Sequence, residues 1–202
     1  MFVYSLSGLD LSGATGAAQV EVEDNETTAR TAVYQTFARM LMAPGDDEWA
    51  ITADGGWSKE LATAGTLLEY SWDIDDQPVP GDRAAADAAR AALDGVMASG
   101  AYADDVSRNH DEVVRFYEYY GLKTSAGGPP VDHVVTECDF LQFLTYKEAA
   151  SASDRLRASF RRAQLDFLDR QFLRWVPALA ERVAADGSSP FHTWATAALA
   201  RY

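Results

Sequence analysis

Apolar residues recur at intervals of three and four along most of this chain, the spacing of one buried face on a helix. Val33, Phe37, Met40 and Leu41 mark a first helix from about Glu26 to Met42, closed by Pro44-Gly45. A short helix over Asp46–Ala53 follows, then a turn at Asp54-Gly55-Gly56. Ser58 to Tyr70 reads as a third helix, with Leu61, Leu67 and Leu68 apolar. The stretch from Ser71 to Asp82 holds Trp72 among Asp, Pro and Gly, and reads as an ordered loop. Arg83 to Met97 is alanine-rich, with high helix propensity, and Gly100 can close it. Another helix begins near Ser107 or Asn109, both suited to capping, carries Val113, Val114, Phe116, Tyr117, Tyr119 and Tyr120, and stops at Gly121.

The stretch from Gly127 to Glu148, GGPPVDHVVTECDFLQFLTYKE, organises the rest. Two glycines and two prolines break the chain before Asp132-His133. A helix then starts, with Val134, Cys138, Leu141 and Leu144 on one apolar face, and ends near Ser151–Ser153. A stiff polar loop mounted on a core helix is a favoured place for binding residues. After Asp154, Leu156, Phe160, Ala163, Phe167, Phe172, Trp175 and Leu179 keep nearly one face, but Pro177 should kink or split that helix. Asp186-Gly187-Ser188-Ser189-Pro190 is a stop and restart, and Phe191 to Tyr202 is the last helix. No run of alternating β-branched residues marks a strand, and no repeat is visible. The expected fold is all-α with no sheet, a single-domain helical bundle over 25–202, behind a flexible or irregular segment at 1–24.

At 202 residues and 48% hydrophobic composition, the chain has material for one sizeable core. The formal charge of -14 argues against nucleic acid, which demands a basic face, and suits a basic partner or plain solubility. The single cysteine, Cys138, allows no internal disulfide, the N-terminus has no secretory pattern, and no apolar run reaches membrane length. A cytoplasmic location is the expectation.

The densest polar group is Asp132, His133 and Glu137. His133 and Glu137 are four apart and share a helix face, so two legs of a metal site are conceivable. The chain has only three histidines and no HExxH pattern, so no metal is expected. Asp132 reads as a helix cap, with His133 beside it or on a peptide-binding surface. Cys138 has no nucleophile elbow around it, and Gly127-Gly128 lacks the Lys-Ser/Thr of a phosphate loop. No cofactor is expected. Arg155, Arg157, Arg161 and Arg162 read as a solvated face. Phe116 and Tyr120 read as core residues, leaving Tyr117 or Tyr119 for the surface.

PPVDHVVTECDFLQFL resembles the loop-and-helix signature of the TorD/DmsD/NarJ family, assembly chaperones of molybdenum oxidoreductases. That family carries Glu-Pro-x-Asp-His and then a helix with a Glu and Phe/Leu pairs. Pro130, Asp132 and His133 match, while Pro129 stands where the family has its leading Glu. YQTFARMLMAPGDDEW, FYEYYGL and FLDRQFLRWVPALAERV with PFHTWATAALARY are similar to further family segments, FYEYYGL to the subgroup serving type II dimethyl-sulfoxide-reductase-like enzymes. The resemblance implies a TorD-like bundle, not an enzyme. It implies a chaperone that binds an apo molybdoenzyme catalytic subunit, or its twin-arginine leader, as monomer or dimer. The binding residues it points to are Pro130, Asp132, His133 and Glu137; from the residues themselves, Trp72 and Tyr117 are further candidates, above all if Asp132 is only a cap. A small metal-dependent hydrolase using His133, Glu137 and Asp132, or a generic helical adaptor, are the alternatives.

Overall fold

A computed structural model describes residues 9–10, 25–42, 45–72, 76–98, 110–124 and 126–202. The α-helices are α1 (Glu26–Leu41), α2 (Asp46–Ala53), α3 (Gly56–Leu68), α4 (Arg83–Ala98), α5 (His110–Tyr119), α6 (Val134–Ala150), α7 (Asp154–Arg170), α8 (Val176–Asp186) and α9 (Pro190–Arg201). The protein is all-α, as the periodicity predicts. One small difference is an antiparallel pair of two-residue strands, β1 (Leu9–Asp10) and β2 (Lys123–Thr124), with Leu9 opposite Thr124. It is too short to leave an alternating pattern. The expected start at Ser107 or Asn109, and Pro44 and Gly100, lie outside the described residues.

Local chemistry sets the helix ends. The Asn25 side chain accepts from the Thr27 and Thr28 amides at 2.9 and 3.2 Å, and Thr28 Oγ1 accepts from the Asn25 amide at 2.7 Å. This reciprocal box satisfies donors that the first turn leaves open. The long segment after Asp154 does split. Helix α7 ends at Arg170, a 3-10 turn covers Phe172–Arg174, and Pro177 sits in the first turn of α8, where its missing N–H costs nothing. Gly187, at φ 67°, closes α8 in the left-handed region that favours glycine.

Helix α6 lies at the centre. It packs on α1 and α7, while α3 and α9 pack on α1 and α8 pairs with α9. Every residue from Val134 to Thr145 is buried. The single apolar face expected for α6 is therefore a helix enclosed on all sides. Its polar residues are tied inside the protein. The Trp175 indole N–H donates to Glu137 at 3.0 Å. Glu148 accepts from Arg30 at 3.1 Å and from Gln164 at 2.7 Å. An aromatic group fills the far side: Tyr117 and Phe167 each lie 4.8 Å from Phe140 between ring centroids. Two residues assigned to apolar faces turn outward instead, Leu67 at 45% and Leu156 at 53% exposure, because α3 and the start of α7 lack a neighbour there among the described residues.

The Ser71–Asp82 loop is fastened to the bundle. Trp72 is buried, and its indole N–H donates to the Leu61 carbonyl at 2.6 Å. Gly65 makes room for it: a Cβ there would sit 2.7 Å from the Trp72 ring nitrogen and from the Tyr70 carbonyl. Gln77 donates to the Thr52 carbonyl at 3.0 Å.

Trp175→Ala is expected to cost about 3–5 kcal/mol, since the ring is fully enclosed. Trp175→Phe keeps most of the packing but takes the indole donor from a buried carboxylate, and should still cost about 1–3 kcal/mol. Chemical denaturation of both variants checks this; an unchanged midpoint for Trp175→Phe would show that the Glu137 contact contributes nothing.

His192 supplies a pH dependence. It is buried in α9 with Nδ1 2.8 Å from the Ser189 hydroxyl. Burial, then the Arg90 charge, pushes its pKa down to about 4 from the ordinary 6.5. The unfolded chain therefore binds this proton more readily than the folded one. Stability from neutral His192 is whole above pH ~6.5 and is lost as pH falls towards ~4, on the order of 3 kcal/mol. Melting temperature should fall over that window, and His192→Gln should flatten the fall; an equal slope in the variant would contradict it.

Candidate functional site

The loop ahead of α6 is built by its own backbone. Gly127 takes φ 76°, a left-handed turn that favours glycine. The Pro130 carbonyl then accepts from the His133 amide at 3.0 Å and from Thr136 Oγ1 at 2.8 Å. From the other side, the Tyr117 hydroxyl donates to the Val131 carbonyl at 3.1 Å. So α5 and the first turn of α6 clamp residues 130–133.

The residue that caps α6 is His133, not Asp132. His133 Nδ1 accepts from the Val135 amide at 3.2 Å. An accepting Nδ1 carries no proton, so the neutral ring bears its hydrogen on Nε2. That nitrogen is 3.6 Å from Asp94 Oδ1 on α4. The cap role expected of Asp132 thus passes to its neighbour, and Asp132 is left partly exposed at 33%, with His110 Nδ1 4.0 Å away. Two carboxylates, Asp94 and Asp132, flank His133. Asp94 is 54% exposed and also accepts from Arg90 at 2.9 Å.

His133 itself is buried, at 4% exposure, and the other residues singled out from the sequence also separate from this surface. Glu137 is fully buried against Trp175. Trp72 packs 5.9 Å from Phe37 and 5.4 Å from Tyr202. Tyr117 is 2% exposed and supports the loop from beneath, whereas Tyr119 is 82% exposed. Phe116 and Tyr120 are partly buried against the core, as expected. His133 and Glu137 therefore address different partners and do not converge with Asp132 on one point. Among the described residues, no three His, Cys, Asp or Glu side chains gather in a metal-holding group. Cys138 is fully buried; burial, then Asp139 and Glu137, pushes its thiol well up, so it stays protonated and unreactive. Arg161, in the basic run of α7, reaches Glu148 at 3.7 Å and Glu26 at 3.9 Å.

Asp94 was not found from the sequence, because nothing in an alanine-rich helix marks the side that will face a distant loop. The only local signal is the four-residue spacing of Arg90 and Asp94. A second concavity, a cleft of about 320 Å³ between α1, α3 and α7, was also missed; it is lined by Arg30, Tyr34, Tyr70, Arg161, Leu165 and Tyr202.

The family described as "Nitrate reductase delta subunit" matches residues 99–181, which hold the clamped loop and all of α6. The chain is 40% identical over 80 residues to the selenate reductase assembly chaperone protein of Thauera selenatis, covering 39% of this chain and 42% of that one. It is 34% identical over 82 residues to the perchlorate reductase assembly chaperone protein of Dechloromonas aromatica, covering 40% and 37%. With the chaperone protein TorD of Photobacterium profundum the identity is 30% over 77 residues, covering 38% and 36%. Over this segment the chain is similar to that family and to these assembly chaperones. The match spans less than half the length of these relatives. No solved structure matches.

If His133 is the cap, His133→Ala should lower stability by about 0.5–2 kcal/mol and His133→Asn should restore most of it. Asp132→Asn should leave stability unchanged. Thermal melts of the three variants check this; a large loss in Asp132→Asn with none in His133→Ala would reverse the assignment.

Proposed function

We propose that this chain is a cytoplasmic assembly chaperone that holds the apo catalytic subunit of a molybdopterin oxidoreductase until its cofactor is inserted. The reading rests on these similarities and on one observation of this structure. A clamped loop presents a partly exposed carboxylate, Asp132, beside the exposed Asp94, on a chain of formal charge -14. Such a surface suits a cationic segment, and a leader carrying two arginines is that kind of segment. A guanidinium pairs with a carboxylate through charge-assisted hydrogen bonds, which fix orientation as well as adding energy. The surrounding negative charge speeds encounter.

In this reading Pro130 and Asp132 form the receiving surface, and His133, buried at 4% exposure, positions the loop from behind. Glu137, Tyr117 and Trp72 act from inside, Glu137 and Tyr117 by fixing the helix and the loop, Trp72 by holding α3 and its following loop in place. No helix among the described residues is long and apolar enough to cross a membrane. The work asked of the protein is holding, with no bond made or broken.

Titration calorimetry of the purified chain with a twin-arginine leader peptide tests the reading. Asp132→Asn removes a charge while leaving the shape, and should weaken binding by about 1 kcal/mol, roughly five-fold in Kd. The loss should be greater at 10 mM than at 150 mM salt, because the screening length falls from roughly 30 to 8 Å. Equal affinity of wild type and Asp132→Asn at both salts would remove Asp132 from the receiving surface.

A further inference from the structure

The cleft between α1, α3 and α7 takes no part in the loop, since Pro130, Asp132, His133 and Asp94 all lie outside its lining. Its volume, about 320 Å³, is at the lower end of the range for small-ligand sites. Tyr34, Tyr70 and Tyr202 form an aromatic wall, with Tyr202 edge to face against Tyr34 at 5.5 Å and Tyr70 at 5.8 Å. The wall is held in place. Tyr202 stacks on the buried Trp72 at 5.4 Å, and the Tyr70 hydroxyl donates to the Arg201 carbonyl at 3.0 Å. Helix α7 adds Arg161, Leu165 and Leu168, at steps of four and three on one helix face. Leu165 is 60% exposed.

Two polar groups of this cleft still want a partner. Tyr34 is only 6% exposed, yet its hydroxyl makes no hydrogen bond among the described residues. That oxygen is not enclosed either: it keeps some surface, and the cleft is the opening that Tyr34 lines. Burial, then Tyr202, pushes its phenol up, so it stays an O–H donor. The second group is the Arg161 guanidinium. The two carboxylates it reaches, Glu148 at 3.7 Å and Glu26 at 3.9 Å, are beyond hydrogen-bond range. Glu148 is already taken by Arg30 and Gln164. The lining side chains include two arginines and no carboxylate, on a chain of formal charge -14.

We propose that this cleft docks an acidic peptide segment of a partner protein, one in which an apolar side chain is followed by a carboxylate. The apolar side chain lies against the tyrosine rings and Leu165. The carboxylate pairs with Arg161, and a peptide carbonyl accepts from the Tyr34 hydroxyl. Two acceptors set beside an apolar group are what a peptide offers and a lone ion does not. Tyrosine and arginine around an apolar centre are also the composition of binding hot spots. The cleft selects the opposite charge from the loop, whose Asp132 and Asp94 suit a cation, and it stands whether or not the loop receives a leader.

A nuclear magnetic resonance titration of the full chain with acetyl-Gly-Leu-Asp-Gly-amide tests this. Shifts centred on Tyr34, Arg161, Leu165 and Tyr202 are expected. Acetyl-Gly-Leu-Asn-Gly-amide, which lacks the charge, should bind roughly five-fold more weakly. Arg161→Gln should lose that preference, and Arg161→Lys should keep part of it. Tyr34→Phe keeps the ring and should weaken both peptides alike. Leu165→Asp changes an exposed side chain, so it spares the core, and it should abolish the shifts. Adding a twin-arginine leader peptide should not displace the probe, so failure at the loop and failure at the cleft are read separately. No cleft shifts up to the solubility limit of the peptide would overturn the proposal. N-acetyl-leucine binding as tightly as the peptide would make this a site for free acids and overturn it too. So would self-association that Leu165→Asp abolishes, without peptide shifts, which would make the cleft a contact between copies.

Discussion

Helix α6 is surrounded by protein on every side, and this constraint governs what each of its residues must do. Apolar positions alone cannot meet it, because Thr136, Glu137, Asp139, Gln142 and Thr145 are enclosed as well. A buried carboxylate is costly to take from water and must be matched inside. The Trp175 indole does this for Glu137, and Arg30 with Gln164 does it for Glu148. These bonds reach from α6 to the start of α8 and to α1 and α7. They fix the rotation of the central helix about its axis, which packing of similar apolar side chains would fix less firmly.

The loop inherits that precision. His133 caps α6, Thr136 bonds the Pro130 carbonyl, and Tyr117 holds Val131. Helix α5 is held in turn by Glu112, which is joined to Arg170 and accepts from Gln171 at 2.9 Å at the end of α7. What reaches the surface is small: Asp132 from the loop and Asp94 from α4, with His133 buried behind them. The proposed receiving surface would need little motion to be ready, so less ordering cost would be incurred on binding.

The fold was legible because the helix ends are written in residues with local meaning. Asp46–Ala53 matches residue for residue, and Pro177 and Gly187 act where their backbone preferences place them. The depth of α6 was not legible. Glu137, Asp139 and Gln142 look like a solvent face to any reading of periodicity, and only partners from distant segments make their burial tolerable. For the same reason Trp72 and Tyr117 looked available for binding, yet both lie inside. Pro130, Asp132 and His133 stand out in the sequence because they lie within four residues of one another in one loop. Asp94 and Arg90 do not, since tertiary packing alone brings α4 beside the loop. Leu9–Asp10 pairs with Lys123–Thr124 over too few residues to leave a sequence pattern.

Hydrogen exchange of the full chain, with and without a twin-arginine leader peptide, tests most directly whether an immobile α6 presents the receiving loop. The account predicts that the slowest amides lie in α6, and that the peptide slows exchange over 110–120 and 126–134. Protection confined to the cleft between α1, α3 and α7, around Tyr34, Tyr70 and Tyr202, with the loop unchanged, would contradict it.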